Sequence, residues 1–138
     1  MKLLKYVMTT DSGLAPNPYG QVCTLALCTP NHRNAKLNVG DWIIGHSEKG
    51  RGQRLIYAMK VTRILSMEEY FNEFPDKRPD WKSPEREKLC GDNLYYKKDN
   101  RWARLPSPCH NTEKNFAQDL DRPVFVAKGD DNFVYFGK

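Results

Sequence analysis

Every apolar run in this sequence is short, and turn-forming residues separate the runs. The 138-residue chain holds nine glycines and nine prolines, which permit tight turns or fix the backbone and remove a hydrogen-bond donor. No run approaches the ~20 apolar residues that a membrane-spanning helix needs. The first residues are too few and too quickly polar for a signal peptide. We therefore expect short strands and helices in a cytoplasmic protein that has no membrane partner.

Length and composition favour one domain over residues 1–138. Domains of roughly 100–150 residues are the commonest. The fractions of hydrophobic (39%) and charged (28%) residues are typical of a globular protein and exclude a collagen, a coiled coil or a mostly disordered chain. A formal net charge of +5 is compatible with an anionic partner. Six Phe, seven Tyr and three Trp suffice for a core and leave aromatic rings for a binding surface.

The cysteines do not have the spacing of a zinc site. They stand at positions 23, 28, 90 and 109. Structural zinc sites favour two close pairs such as Cys-x2-Cys, although His110 beside Cys109 and His32 after Cys28 leave a mixed site open. A reducing cytosol disfavours disulfides, and Cys23 and Cys28 fit small buried hydrophobes. We therefore expect no metal and no cofactor.

The order of the predicted elements indicates an α+β fold. Apolar runs predict strands at residues 2–9, 42–45, 54–65, 93–96, 101–105, 124–127 and 133–136, and the run 22–28 fits either a strand or a helix. Capping and turn signals predict short helices at 29–35, 66–74 and 111–120, the second with Ser66 and Glu69 in a capping box. The strands at 93–105 and at 124–136 should form two hairpins. These elements predict a curled sheet or a small β-barrel with two or three short flanking helices.

Six sequence blocks together resemble a known protein family. They are Tyr6-Val-Met-Thr-Thr-Asp-Ser-Gly-Leu-Ala-Pro-Asn-Pro18, Cys23-Thr-Leu-Ala-Leu-Cys28, Gly40-Asp-Trp-Ile-Ile-Gly45, Leu55-Ile-Tyr-Ala-Met59, Cys90-Gly-Asp-Asn-Leu-Tyr-Tyr96 and Leu105-Pro-Ser-Pro108. Along nearly the whole chain these blocks are similar to the nucleotide-modification-associated domains, and the first block is the most distinctive. The Gly-Asp-Trp strand and its return strand also resemble the PUA-like superfamily, which includes the EVE, ASCH and YTH domains.

The resemblance implies a PUA-like fold and a link to modified nucleobases, in DNA or as nucleotides, in bacteria and phages. Related PUA-like readers hold a flipped base in an aromatic-lined pocket. The expected partner is therefore nucleic acid, with DNA favoured, or a modified nucleotide.

Polar residues after the first strand are candidates for reading the edge of a base. The Asp11 carboxylate can accept a hydrogen bond from an exocyclic amine, and Asn17 offers one donor and one acceptor. The alternative is that the Thr-Asp-Ser-Gly segment is a turn that only closes the strand.

Two aromatic residues on pairing strands are candidates for the pocket walls. Trp42 and Tyr57 can stack on a base or can belong to the core. Asp92 and Asn93 either complete a polar pocket from the far side of the sheet or cap a strand. The candidate base- or nucleotide-binding residues are Thr10, Asp11, Ser12, Asn17, Trp42, Tyr57, Asp92 and Asn93.

Cations among glycines in the segment 46–54 predict a phosphate contact. Glycine lets the backbone approach a phosphate, and the cations neutralise its charge. The segment has no Walker A spacing, and a solvated hairpin tip is the alternative. The candidate phosphate-binding residues are Arg33, Lys49, Arg51 and Arg54.

The leading functional hypothesis is a module that binds a modified nucleobase or nucleotide. No known catalytic motif is present, so we assign no catalytic residue. One alternative is an enzyme that acts on the modified base, with Asp11 as the acid or base. Another is an adaptor that docks on a protein of a modification or restriction system through the tryptophans Trp81 and Trp102.

Overall fold

The computed structural model describes residues 1–27, 32 and 34–137. This part of the chain contains nine strands: β1 (Leu3–Val7), β2 (Val22–Leu25), β3 (Trp42–His46), β4 (Leu55–Lys60), β5 (Arg63–Leu65), β6 (Tyr95–Lys98), β7 (Arg101–Arg104), β8 (Val124–Lys128) and β9 (Phe133–Tyr135). It also contains three short helices: α1 (Met67–Glu73), α2 (Arg86–Leu89) and α3 (Glu113–Asp119). The α+β class is confirmed. The described strands form three separate sheets that are not closed into a barrel.

The largest sheet has the strand order β1-β3-β4-β9. Strand β1 runs parallel to β3, and the other pairs are antiparallel. Side chains alternate between the two faces of a strand. Leu4 and Tyr6 pack against the core, whereas the residues between and beside them on β1 are exposed. This sheet therefore has one buried face and one face turned to solvent.

A second sheet, with the order β2-β8-β5, is buried on both faces. On β8, Val124 and Val126 belong to one hydrophobic cluster, and Phe125 and Ala127 belong to another. We call the first cluster the helix-side core, since it also contains Leu65, Met67, Tyr70, Leu94 and Tyr95. We call the second the sheet-side core, since it also contains Met8, Ile43, Ile56, Tyr57 and Met59 of the large sheet.

One predicted strand and one predicted hairpin are wrong because the chain changes sheets. The predicted strand at 54–65 divides at Val61 and Thr62, where β4 leaves the large sheet and β5 joins β8. The backbone N–H of Thr62 already donates to Val126 O, at 2.8 Å. The predicted hairpin at 124–136 also fails, since β8 pairs with β2 and β5 while β9 pairs with β4.

Other local predictions are confirmed or corrected. Ser66 and Glu69 form both hydrogen bonds of the capping box at the start of α1. Between α1 and β6, a 3-10 turn (Pro75–Lys77) precedes α2. The helix predicted at 29–35 falls mostly outside the described residues.

The expectation of reduced cysteines is wrong for one pair. Cys90 and Cys109 form a disulfide with a Cα–Cα distance of 5.6 Å. The bond ties the segment after α2 to the loop before α3. A sequence spacing of 19 residues carries no signal for it, because only the fold brings the two positions together.

The helices of the described residues are too short or too polar to cross a membrane.

Candidate functional site

A surface cleft opens at the end of the large sheet where β3 and β4 are joined. Its walls are the β3–β4 loop, the first residues of β4, and Phe136 and Gly137 after β9. Its volume is about 670 Å³, which lies in the range of small-molecule sites in proteins. Two segments that are distant in sequence, residues 47–56 and residues 136–137, therefore meet around one open cavity.

Hydrogen bonds to Ser47 give the β3–β4 loop a defined shape. The Ser47 N–H donates to Arg54 O, and the Arg54 N–H donates to Ser47 Oγ, both at 2.8 Å. Between them, Lys49–Arg51 form a 3-10 turn that ends at Gly52 with a φ of 83°. This left-handed backbone favours glycine. The cations on the loop are thus carried by an ordered turn.

The loop cations are available to a ligand. The side chains of Lys49, Arg51 and Arg54 are exposed, and none of them forms a salt bridge with another described residue. Glu48 is the only acidic residue between positions 46 and 54. The predicted phosphate contacts Arg51 and Arg54 line the cleft, and Lys49 lies on the same turn. The fourth, Arg33, lies outside the described residues.

An exposed aromatic ring forms the opposite wall of the cleft. Phe136 is 67% exposed, and its N–H donates to Ile56 O at 2.8 Å, which fixes its backbone beside β4. Leu55 and Ile56 add apolar surface between the ring and the loop. Phe136 is not among the site residues predicted from the sequence. The available signal was an aromatic residue that immediately precedes a glycine, just where its strand ends.

The predicted base reader Asp11 lies beside this cleft. Its Oδ2 atom accepts a hydrogen bond from Tyr135 OH at 2.7 Å, and its Oδ1 atom accepts one from the Gly13 N–H at 3.3 Å. Oδ2 is 3.8 Å from the point where a side chain on the cleft residue Gly137 would begin. Burial, together with the Asp11 contact, raises the pKa of Tyr135. Tyr135 therefore stays a donor, and Asp11 keeps lone pairs that can accept from a ligand.

The two neighbours of Asp11, Thr10 and Ser12, differ in exposure and in their contacts. Thr10 is exposed and Ser12 is half-buried. Ser12 O accepts a hydrogen bond from Arg86 at 3.4 Å. The Asp11 segment is therefore connected to α2 as well as to β9.

Three other predicted site residues lie together in a buried polar cluster away from the cleft. Asn17, Asp92 and Asn93 are each 1% exposed. The Asp92 carboxylate accepts from Thr24 Oγ1 at 2.6 Å and from Tyr70 OH at 2.5 Å. Both carboxylate oxygens of Asp92 therefore bind groups of the protein itself.

Asn17 and Asn93 are engaged in the same way. Lys77 Nζ donates to Asn17 O, Asn17 Oδ1 and Val22 O at 2.6–3.0 Å. Asn93 Nδ2 donates to Tyr70 O at 3.0 Å and Phe74 O at 2.9 Å. Both asparagines therefore join chain segments, and neither presents its amide to the surface.

The charges in this cluster influence each other. Burial raises the pKa of the Asp92 carboxyl and lowers that of the Lys77 ammonium, while the charge of each partner opposes the shift of the other. Each charged form also has close hydrogen-bond partners, which compensate for burial. Lys77 and Asp92 form no direct salt bridge with each other, and each is held by its own hydrogen bonds, so the cluster has a structural role.

Trp42 and Tyr57 do not form facing walls of one pocket. Their strands pair, but Trp42 lies opposite Lys60, and Tyr57 is three residues before Lys60 and so on the other face. Tyr57 is fully buried and its OH lies 2.8 Å from Tyr6 OH. Trp42 lies half-buried on the solvent face of the sheet.

The two remaining tryptophans also differ. Trp81 is exposed, whereas Trp102 packs against the helix-side core.

Comparison with known proteins gave one match. The model of a family described as nucleotide modification associated domain 2 matches residues 1–138. Neither a curated protein nor a solved structure matched the chain.

Proposed function

Because the chain belongs to the nucleotide modification associated domain 2 family, we propose that it is a module that binds a modified nucleobase or nucleotide in the cleft between the β3–β4 loop and Phe136. One observation carries this proposal: two guanidinium groups without salt bridges to described residues and an exposed aromatic ring line the same cavity. A nucleotide offers an anion and a flat ring, and these two groups match the two walls.

The geometry suggests a role for each wall. Stacking of a base on Phe136 contributes ~1–3 kcal/mol. Arg51 and Arg54 can make charge-assisted hydrogen bonds to a phosphate. The Asp11 carboxylate, beside Gly137, can accept from an exocyclic amine and so favours a base that carries an amino group over thymine or uracil. A PUA-like relationship and a preference for DNA are part of this proposal.

The test is equilibrium binding of modified and unmodified nucleoside monophosphates to the wild type and to two cleft variants. For the best-binding nucleotide, we expect Phe136→Ala to weaken binding ~5- to 150-fold, because the stacked ring is lost. We expect the double variant Arg51→Ala/Arg54→Ala to weaken binding at least ~10-fold, because the phosphate loses its charge-assisted partners. The removed side chains are exposed, so circular dichroism should show an unchanged fold.

The control removes the same charge elsewhere. The double variant Lys98→Ala/Arg101→Ala lies on the β6–β7 hairpin, where both side chains are exposed. It should bind the nucleotide as the wild type does. Equal binding by the wild type, both cleft variants and this control would place the ligand elsewhere and refute the proposal.

A further inference from the structure

The solvent face of the large sheet continues directly from the cleft. Phe136 and Val134 are two residues apart in extended backbone and so share a face, and Val134 lies opposite Ala58 of β4. The same cross-strand rows lead through β3 to β1. We call this surface the outer face. Its residues include Leu3, Lys5, Val7, Trp42, Lys60 and Val134.

The outer face carries positive charge and no negative charge. The four strands β1, β3, β4 and β9 contain no Asp or Glu. Lys5 and Lys60 are exposed on the outer face, and neither forms a salt bridge with a described residue. These four strands therefore contribute only cations to this surface.

The carboxylates closest to these strands, which include the half-buried Glu48 after β3, lie on the flanking loops. Asp41, before β3, is buried and accepts from the N–H groups of Lys2 and Asn38. Asp130 and Asp131 lie on the turn before β9, at the end away from the cleft. The part of the face next to the cleft is thus free of carboxylates from these strands.

Apolar and aromatic groups lie between the lysines. Leu3 and Val7 are 58% and 47% exposed, and the ring of Trp42 is half-buried in the row of Leu3 and Lys60. Single-stranded nucleic acid binds to such combinations, because its phosphates need cations and its bases stack on aromatic rings. At ~3.3 Å per residue along a strand, Lys60 lies ~13 Å beyond the level of Phe136, which is a distance of a few nucleotides.

We propose that the outer face is a nucleic-acid contact surface, over which the strand next to the bound base passes. The natural ligand of the cleft is then a nucleotide within a nucleic-acid strand, and a free monophosphate is a probe for the cleft alone. This inference rests on the proposed function of the cleft and adds its substrate class. Two features support the choice of occupant: the exclusively positive charge of the strands and the continuity of the face with the cleft.

The experiment compares a short fluorescein-labelled single-stranded DNA with a nucleoside monophosphate. The variant is Lys5→Gln/Lys60→Gln, which keeps a polar side chain at each position and removes two charges. We expect about tenfold weaker DNA binding at ~50 mM salt, and a slope of log affinity against log salt that is smaller by about 1.4, the value for two phosphate contacts on a single strand. Binding of the monophosphate should be unchanged, because the cleft is intact.

Controls separate this inference from the proposed function. The Lys98→Ala/Arg101→Ala variant, which has the same loss of charge, should keep the wild-type DNA affinity and salt slope. Trp42→Phe should bind DNA better than Trp42→Ala, since it keeps an aromatic ring. If the cleft variants lose monophosphate binding while Lys5→Gln/Lys60→Gln keeps full DNA affinity, the cleft proposal stands and the outer-face inference is overturned.

Two other results would also decide the question. Weaker DNA binding by Lys5→Gln/Lys60→Gln without any monophosphate binding would support the outer face and count against the cleft. If sedimentation shows a wild-type dimer that dissociates in this variant while DNA affinity is unchanged, the face is an interface between copies and the inference is overturned.

Discussion

At the scale of single residues, polar side chains in this chain have two different uses that look alike in sequence. Asp11 stands in the segment Thr10-Asp-Ser-Gly13, and Asp92 stands in Gly91-Asp-Asn93. Both segments have the composition of a turn. In the structure Asp11 lies next to an open cleft, whereas both carboxylate oxygens of Asp92 are bonded inside the core. A buried polar group must find its partners within the protein. The partners of Asp92 come from β2 and α1, which local sequence cannot reveal.

Burial of His32 makes its protonation depend on whether the protein is folded. It is 3% exposed, and neither ring nitrogen has a hydrogen-bond partner among the described residues. Burial lowers its pKa to about 4, and the charge of Asp119 only partly opposes this. The neutral form is therefore strongly preferred in the folded state.

We expect His32 to make the protein less stable in mild acid. The unfolded chain takes up the His32 proton near pH 6.5, whereas the folded protein does so only near pH 4. Stability is therefore lost as the pH falls between these values, by about 2 kcal/mol at about pH 5. Urea unfolding at about pH 7.5 and about pH 5 should show this loss in the wild type. Between the same two pH values, the loss of unfolding free energy in the His32→Leu variant should be smaller by this amount than in the wild type. Equal losses in both proteins would contradict the assignment of the effect to His32.

At the scale of elements, local signals were sufficient where the partner is near in sequence. The capping box of α1 and the hairpin of β6 and β7 needed only neighbouring residues, and both are confirmed. The division of segment 54–65 and the separation of β8 from β9 depend on which distant strand each one meets. In the same way, the cations of the cleft were predicted from the loop sequence, but Phe136 was not. Phe136 reaches these cations only through the pairing of β9 with β4, which local sequence does not show.

The disulfide between Cys90 and Cys109 should contribute measurable stability. It closes a loop with a sequence separation of 19, which corresponds to about 3 kcal/mol in the chain-entropy description. We expect the variant Cys90→Ala/Cys109→Ala, and the wild type in reducing agent, to unfold at lower urea concentration than the oxidised wild type. Reducing agent should have no further effect on the variant.

The remaining described cysteine provides the control for this experiment. Cys23 is a free thiol in the sheet-side core, and burial raises its pKa to about 12. It is therefore protonated and unreactive at neutral pH, since the thiolate is the reactive form. Thiol labelling of Cys23 in the folded oxidised protein should be absent. Identical urea curves with and without reducing agent would show that the disulfide adds no stability.

At the scale of the whole molecule, the proposed binding surfaces and the buried polar cluster are separated by the doubly buried sheet. The cleft and the outer face belong to the large sheet. The cluster around Asp92 and Lys77 lies with Tyr70 on the helix side. Substitutions in the cleft or on the outer face should therefore change binding with little effect on stability, and substitutions in the cluster should do the reverse.

The same central sheet predicts that residues 1–138 unfold as one unit. Successive side chains of β8 enter the two cores, so neither core can lose its packing without exposing the other face of this strand. Trp42, on the large sheet, and Trp102, against the helix-side core, report on the two sides. In two proteins that each keep one of these tryptophans and have Phe at the other tryptophan positions, urea unfolding should give the same midpoint.

Val126→Ala, which removes contacts from the helix-side core alone, should lower the free energy of unfolding by about 2 kcal/mol and shift both midpoints equally. Two separate midpoints, or a shift of the Trp102 signal alone, would mean that the chain contains two independently unfolding parts.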